Sequence, residues 1–368
     1  MEHTRRFADW GRTLALPFWA ERGWDPRHGG FFETLDMSGE GVTGDIRRVR
    51  AQARQVYVFA RAAHEGWLDR TDLAEAGMDR LARIAWAPDD QPGWVHLVRD
   101  DGSVVDARRD FYDQAFLILA SAWAWRATGA ARFRDMAYGT LGFLDTHMSA
   151  GPAGGYQEAI GADPVPRRQN PHMHLFEALL ALYEITGDTA LVPRIEAVKT
   201  LFDRHFFDPD SGLLREFFDP DWQPHAERGD IVEPGHWCEW TWLLAEYQRL
   251  LDRPADAAGP ALFASAMARG RNPQTGLLYA AMTRQGDVVD ARSRTWMQTE
   301  WVRAAAVAGP EGALEEACRA LNTGHLDPAI PGGWVDTLSQ DGRAAGEGMP
   351  ASTLYHLVGS LAEVERAV

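Results

Sequence analysis

Short runs of alternating apolar residues, each opened by glycine, recur along the chain, and the stretches between them follow a helical period instead. The runs are Gly29-Gly30-Phe31-Phe32-Glu33, Gly93-Trp94-Val95-His96-Leu97, Gly154-Gly155-Tyr156-Gln157-Glu158, Gly212-Leu213-Leu214-Arg215-Glu216, Gly276-Leu277-Leu278-Tyr279-Ala280 and Gly332-Gly333-Trp334-Val335-Asp336. Their starts lie roughly sixty residues apart, a spacing that marks repeated supersecondary units. Between them, Val49, Ala53, Val56 and Ala60 share a helix face, as do Phe111, Ala115, Ile118, Leu119 and Ala122, or Leu175, Ala178, Leu179 and Leu182. The pattern predicts twelve helices, two per unit, over 5–22, 47–66, 71–86, 108–127, 130–148, 170–186, 188–206, 234–251, 255–269, 292–307, 310–323 and 348–366. Gly129, Gly187 and Pro254 punctuate helix connections, and Gly309-Pro310 sets a proline in the first turn of the next helix.

Six helix pairs bury their apolar faces most completely as a closed ring, one helix of each pair inside and one outside. The expected fold is all-α: an (α/α)6 barrel, a single domain over 1–368, with short β-hairpins in the loops at one end around a central cavity. An open solenoid is the competing architecture, but neither end of the chain shows an atypical polar capping repeat.

Composition narrows the partners. Among 368 residues, 37 Lys and Arg against 53 Asp and Glu give a formal charge of −16, with 45% hydrophobic and 24% charged residues, the profile of a globular protein. An acidic surface without a basic run argues against nucleic acid and membrane surfaces. The two cysteines, Cys238 and Cys318, suit a reducing compartment, and neither a signal peptide nor an eighteen-residue apolar run is present. A cytoplasmic monomer or homodimer is expected. The 15 Trp, 16 Phe and 8 Tyr fit two uses, filling core or stacking on sugar C–H faces.

The inner helices are those that follow each Gly-led run, and polar residues on them need a partner or a purpose. Arg47, Arg48, Arg50 and Arg54 stand at the start of one, where they oppose the helix dipole; Arg54 is the cavity candidate and the others are expected to be solvent-facing or structural. His174-Leu175-Phe176-Glu177 and His236-Trp237-Cys238-Glu239 both read His-x-x-Glu, which puts imidazole and carboxylate together on one helix face. Trp296, Gln298 and Glu300 come from a fifth inner helix, His356 from the last, and Tyr112 and Asp113 from the second as weaker candidates. No zinc-binding or nucleotide-binding motif occurs, so neither metal nor cofactor is expected. Glu177, Glu239 and Glu300 keep glycoside hydrolysis open, but paired imidazoles near neutral pKa, with an arginine for developing negative charge, suit proton transfer at carbon beside a carbonyl.

Ala53-Arg54-Gln55-Val56-Tyr57, Met173-His174 with Glu177-Ala178, Pro234-Gly235-His236-Trp237-Cys238-Glu239-Trp240, Gln298-Thr299-Glu300 and Tyr355-His356 together resemble the N-acylglucosamine 2-epimerase superfamily. That superfamily includes N-acylglucosamine 2-epimerases, cellobiose 2-epimerases and mannose isomerases, and its fold is an (α/α)6 barrel. The resemblance implies that His236 and His356 are the acid/base pair, with Arg54, His174, Glu239 and Glu300 around a monosaccharide. A cis-enediolate would give the ketose when the proton returns to C1, or the epimer when it returns to the other face of C2. His356 is assigned to C1/C2 transfer and His236 to ring opening or the second transfer; Glu239 would orient His236 and raise its basicity, and Arg54 would stabilise the enediolate. Tyr112, Trp296 and Gln298 are expected to contact the sugar. Met349-Pro350-Ala351-Ser352-Thr353-Leu354-Tyr355-His356-Leu357, with Leu after the histidine, looks like the mannose isomerase branch, so D-mannose and D-fructose are the expected pair. A 2-epimerase, a glycoside hydrolase and a sugar-binding protein are the alternatives.

Overall fold

The computed structural model describes residues 1–44, 46–162, 166–326 and 330–368. Its twelve helices are α1, in which Glu2–Trp10 and Leu16–Arg22 are joined through a wider π-type turn, Gly11–Ala15; α2, Val49–His64; α3, Thr71–Ile84; α4, Phe111–Thr128; α5, Ala131–Phe143; α6, Gln169–Thr186; α7, Val192–Leu201; α8, Pro234–Leu251; α9, Ala258–Arg269; α10, Thr295–Ala308; α11, Ala313–Gly324; and α12, Ala351–Ala367. Pro17 has no N–H to donate to the turn before it, which accounts for the widening of α1.

Neighbours pack in the order α2, α4, α6, α8, α10, α12 and back to α2, which closes the inner ring. Each remaining helix lies outside, α3 on α2, α5 on α4, α7 on α6, α9 on α8, α11 on α10, and α1 against α11 and α12. The inner helices are buried on nearly every face, from Phe111 to Ala124 in α4 for example, whereas outer α3 buries Leu73, Ala74, Gly77, Met78 and Leu81 along one stripe. This is the expected (α/α)6 barrel rather than an open solenoid.

The expected short hairpins are present within units, Leu97–Arg99 with Val104–Asp106, Phe207–Asp208 with Leu213–Leu214 and Ala281–Thr283 with Val288–Asp290, but they are only part of the pairing. The Gly-led runs mostly bridge back to the end of the preceding outer helix, as Trp24 to Phe31, Trp86 to Trp94 and Arg271 to Leu278. Further ladders join one unit to the next: Ile46–Arg48 with Leu97–Arg99, Arg109–Asp110 with Ala159–Ile160, Arg167–Arg168 with Phe217–Phe218, Ile231–Val232 with Ala281–Thr283, and Ser293–Arg294 with Thr337–Leu338. Thr34–Asp36 with Gly348–Pro350 ties the last unit to the first. Backbone groups of strands two or three residues long are thus satisfied by a neighbouring unit.

The fourth residue of an inner helix clamps these runs. Gln52 accepts from Phe31 N at 2.8 Å and donates to Phe31 O at 2.7 Å; Gln114 treats Trp94 in the same way at 3.1 and 2.8 Å. His172 Nε2 accepts from Tyr156 N at 3.1 Å, and Gln298 Oε1 from Leu278 N at 3.2 Å. Gly30 and Gly155, at φ +81° and +71°, admit these side chains, because a Cβ would stand 3.0 Å from Gln52 Oε1 and 2.6 Å from His172 Nε2.

Candidate active site

All six inner helices start at the hairpin end, so equal positions along them lie at equal depth. The second residues are Arg50, Tyr112, Asn170, Gly235, Trp296 and Ser352; the sixth, one turn deeper, are Arg54, Phe116, His174, Glu239, Glu300 and His356. These two levels surround most of a cavity of about 220 Å³, whose walls include Arg54, Tyr112, His174, His236, Glu239, Trp296 and His356. Seven of the nine residues expected around a sugar therefore meet there. Glu300 lies behind His356, fully buried, and Gln298 does not reach the cavity at all: its amide serves Leu278 N and Ser293 Oγ. Asp113 sits behind the wall and takes Arg50 at 2.9 Å and His96 at 2.6 Å. Of the fifteen tryptophans only Trp296 lines this cavity, whereas Trp19, Trp94, Trp237, Trp240, Trp301 and Trp334 are fully buried core.

His236 and His356 flank the Trp296 indole, with ring centroids 5.2 and 5.6 Å from it. Glu239 does not orient His236. His236 Nδ1 faces Glu216 Oε2 at 3.0 Å and Glu233 Oε2 at 3.6 Å, while Glu239, a turn deeper, lies 3.7 Å from His174 Nε2. The two His-x-x-Glu pairs are out of register: His174 is the sixth residue of its helix and His236 the third of its own, so the residue equivalent to His174 is Glu239. Only the first pair closes, His174 Nδ1 to Glu177 Oε2 at 3.2 Å. His356 Nδ1 is held by Glu300 Oε1 at 2.8 Å, which leaves its Nε2 for the cavity.

These partners drive the two imidazoles apart rather than leaving both near neutral. Burial alone would depress His236, but Glu216 and then Glu233 outweigh it and hold the ring up to about 10, so it is an imidazolium at neutral pH. The Asn170 amide nitrogen lies 3.0 Å from His236 Nε2 while its Oδ1 has no partner among the described residues; turning the amide over gives the imidazolium N–H an acceptor. His356 is held well below its ordinary value by burial and by Arg54, and is neutral. Burial likewise takes His174 down to about 4. Glu239 is pushed well up, first by burial and then by Glu300, and neither of its oxygens has a hydrogen-bond partner among the described residues.

Arg54 is 8% exposed and has no ion pair among the described residues. Its guanidinium lies 4.1, 5.1 and 5.6 Å from the ring centroids of Phe116, Tyr355 and Tyr112, and donates to Tyr112 Oη at 2.9 Å. The arginines nearer the mouth each have a carboxylate: Arg48 has Glu33, Arg50 has Asp113, and Arg294 has Asp336 at 3.3 Å.

Arg48 and Arg50, expected from sequence to be solvent-facing or structural, line the cavity instead, because the starts of the inner helices face its mouth; Asn170, Glu233, Arg294, Ser352 and Thr353 line it without having been singled out from sequence, and Glu216 and Arg303 stand behind it. Glu216 carried a signal. It is the last residue of a Gly-led run, and in four of the six runs that residue is acidic and pairs with a cation entering an inner helix: Glu33 with Arg48, Glu158 with Arg168, Glu216 with His236, Asp336 with Arg294.

Among the described residues, His174/Glu177/Glu239 and Glu239/Glu300/His356 bring potential metal-ligand atoms within 4.8 Å of one another, as do Glu216/Glu233/His236 and His96/Asp110/Asp113. Glu239 is the one buried carboxylate among them with neither oxygen hydrogen-bonded among the described residues, which leaves both oxygens open to a cation or to a substrate hydroxyl. Among the described residues, no helix is long and apolar enough to cross a membrane.

A family model, N-acylglucosamine 2-epimerase (GlcNAc 2-epimerase), matches residues 30–360. The chain belongs to the N-acylglucosamine 2-epimerase family. It is 38% identical over 380 aligned positions to a protein of Rhizobium meliloti (strain 1021) named mannose-6-phosphate isomerase, covering 97% of this chain and 95% of that one. It is 31% identical to a D-mannose isomerase of Thermobifida fusca, covering 77% and 73%. The structure of a cellobiose 2-epimerase from Bacillus thermoamylovorans B4167 superposes with a TM-score of 0.87 at 21% identity, covering 99% of both chains. At that identity the superposition speaks for the barrel alone, and the sugar isomerases and epimerases of this family share it.

Proposed function

We propose that this family member is an aldose–ketose isomerase that interconverts D-mannose and D-fructose through a cis-enediolate. The observation that carries the reading is one cavity with two imidazoles on either side of one indole, one cationic and one neutral at the same pH. Environments that separate the proton affinities of two like groups assign an acid and a base.

His236, an N–H donor, is placed to protonate the ring oxygen and open the pyranose. His356 Nε2 carries the lone pair and takes the proton from C2 of the open-chain aldose. The C2–H electron pair becomes the C1–C2 double bond of the enediolate, and the carbonyl electron pair moves onto O1. Arg54, without a carboxylate of its own, stabilises that oxygen; the O2 hydroxyl proton passes to O1 as the C2 carbonyl forms, and His356 returns its proton to C1 to complete the ketose. Glu239, held protonated, donates to a sugar hydroxyl. Trp296 offers a flat face to the ring C–H groups.

The substrate is read as an uncharged hexose. A phosphate would have to compete for mouth arginines that Glu33, Asp113 and Asp336 already neutralise, whereas Arg54 at the reacting end is free. Glycoside hydrolysis fits poorly, since Glu177 and Glu300 are spent on Arg303 behind the wall. Incubation with mannose in deuterated water, followed by NMR, tests the reading: fructose carrying deuterium at C1 is expected. Deuterium at C2 of glucose would make the chain a 2-epimerase, turnover of mannose 6-phosphate alone would overturn the neutral-sugar reading, and sugar binding without exchange would make it a binding protein.

A further inference from the structure

Below the cavity the inner helices supply a third level, their ninth residues: Tyr57, Leu119, Glu177, Trp242, Arg303 and Gly359. Arg303 is 1% exposed and its Cζ lies 3.4 Å from the centroid of the Trp242 ring system. Gly359 leaves it room, for a Cβ there would stand 3.5 Å from that Cζ. Arg303 Nη1 donates to the two Glu300 oxygens at 3.3 and 3.0 Å, and Nη2 to Glu177 Oε1 at 3.3 Å. Each carboxylate in turn holds one imidazole of the cavity wall by its Nδ1, Glu300 holding His356 at 2.8 Å and Glu177 holding His174 at 3.2 Å. One buried cation thus stands behind two histidines contributed by helices on different sides of the ring.

We propose that Arg303 is a positioning residue that, through Glu300, fixes the proton of His356 on Nδ1 and so presents the Nε2 lone pair to the sugar. An ionised carboxylate can only accept, so His356 must place its proton on Nδ1 to meet it. A protonated Glu300 would donate to Nδ1 instead, the ring proton would move to Nε2, and the cavity would face an N–H that cannot act as a base. The groups around Glu300 are finely opposed. Burial and Glu177 of α6 favour the neutral acid; Arg303 on its own helix and His236 of α8 favour the anion; Glu239 and Cys238 of α8 and His356 of α12 complete its surroundings. The balance leaves Glu300 up at about 7, with Arg303 the leading influence towards ionisation. Losing Arg303 tips it.

The inference rests on the isomerase reading only for what the lone pair does, and nitrogen-15 NMR of the substrate-free protein reads the tautomer without any activity. At pH 8 the unaltered chain is expected to show His356 protonated on Nδ1. Arg303→Met is expected to show it protonated on Nε2, with kcat down about 10²–10⁴-fold, KM changed by no more than a few-fold, and turnover recovering as pH rises and Glu300 ionises. Arg303→Lys, which keeps the cation, should restore the original tautomer. Should Arg303→Met fail to fold, Arg303→Met/Glu177→Gln removes one buried anion with the cation and carries the same reading. Retention of the Nδ1 tautomer and of an unshifted pH profile without the cation overturns the proposal. An inactive unaltered chain with the tautomer change intact would instead overturn the isomerase reading and leave the Arg303 coupling standing.

Discussion

Replacing Glu216 by Gln should move the alkaline limb of the reaction. Glu216 Oε2 stands 3.0 Å from His236 Nδ1, both groups buried, and it leads the interactions that hold the imidazole up to about 10 against the opposing effect of burial. At an effective dielectric constant of about 20, a unit-charge pair at that distance is worth roughly 5 kcal/mol. The glutamine keeps a hydrogen-bond acceptor, and Glu233 at 3.6 Å remains. The net loss is then about 3–4 kcal/mol, or two to three pH units at about 1.4 kcal/mol each. If His236 works as the acid, kcat/KM for mannose falls as it deprotonates, so the limb near pH 10 should drop to about pH 7–8 in the variant. Stability carries the same sign. A raised imidazole stabilises the fold fully below its unfolded value of about 6.5, and that contribution fades as pH climbs towards 10. Thermal melts of the unaltered chain should therefore lose ground between pH 7 and 10, and the variant should lose less. Ketose formation by coupled assay across pH 6–11, with an NMR titration of His236, measures both. An unmoved alkaline limb together with an unmoved His236 titration would refute the assignment of Glu216 as the partner that charges this ring.

His356→Asn should abolish mannose turnover while calorimetry still detects sugar binding, because the amide keeps a polar contact but cannot take a proton from carbon. Gln298→Ala should cost about 1–3 kcal/mol in denaturant unfolding, since it strands the buried Leu278 N–H, and leave kcat and KM unchanged because the amide does not reach the cavity. Exhaustive chelation followed by the deuterium-exchange assay should leave the rate unchanged; restoration of a lost rate by a single added divalent cation would instead assign the Glu239 cluster as its site.

Much of the barrel was legible because its six units solve the same packing problem, and a helix buried all round reads as apolar whichever unit it is in. Pairing between units was not. The partner of Ile46–Arg48 lies about fifty residues downstream, at Leu97–Arg99, and nothing local in a two- or three-residue strand names it. The same gap hid Glu216, twenty residues before the histidine it charges. His-x-x-Glu misled for a different reason: spacing within a helix sets which groups share a face, but depth in the cavity depends on the distance from the helix start. Counting from Gln169 and Pro234 puts His174 and Glu239 at one level and His236 above them, a distinction that needs helix starts known to the residue. Gln298 shows the complementary error, because the fourth position turns outward towards the Gly-led runs and is structural wherever Gln or His occupies it.

The ring also sets the electrostatics of the cavity floor. Six parallel helix starts direct the positive ends of their dipoles towards one space, and Arg54 adds a full charge that no carboxylate in the described structure offsets. A neutral hexose gains little from that field in its ground state, whereas the enediolate carries its charge on oxygen at the reacting end. The field then acts more strongly on the transition state than on the bound sugar, which is the condition for raising turnover rather than only affinity. An ionised Glu239 in the same wall would oppose it. Burial and the neighbouring Glu300 instead favour the neutral acid at that position, so Glu239 can donate to a sugar oxygen without cancelling the field that stabilises the intermediate.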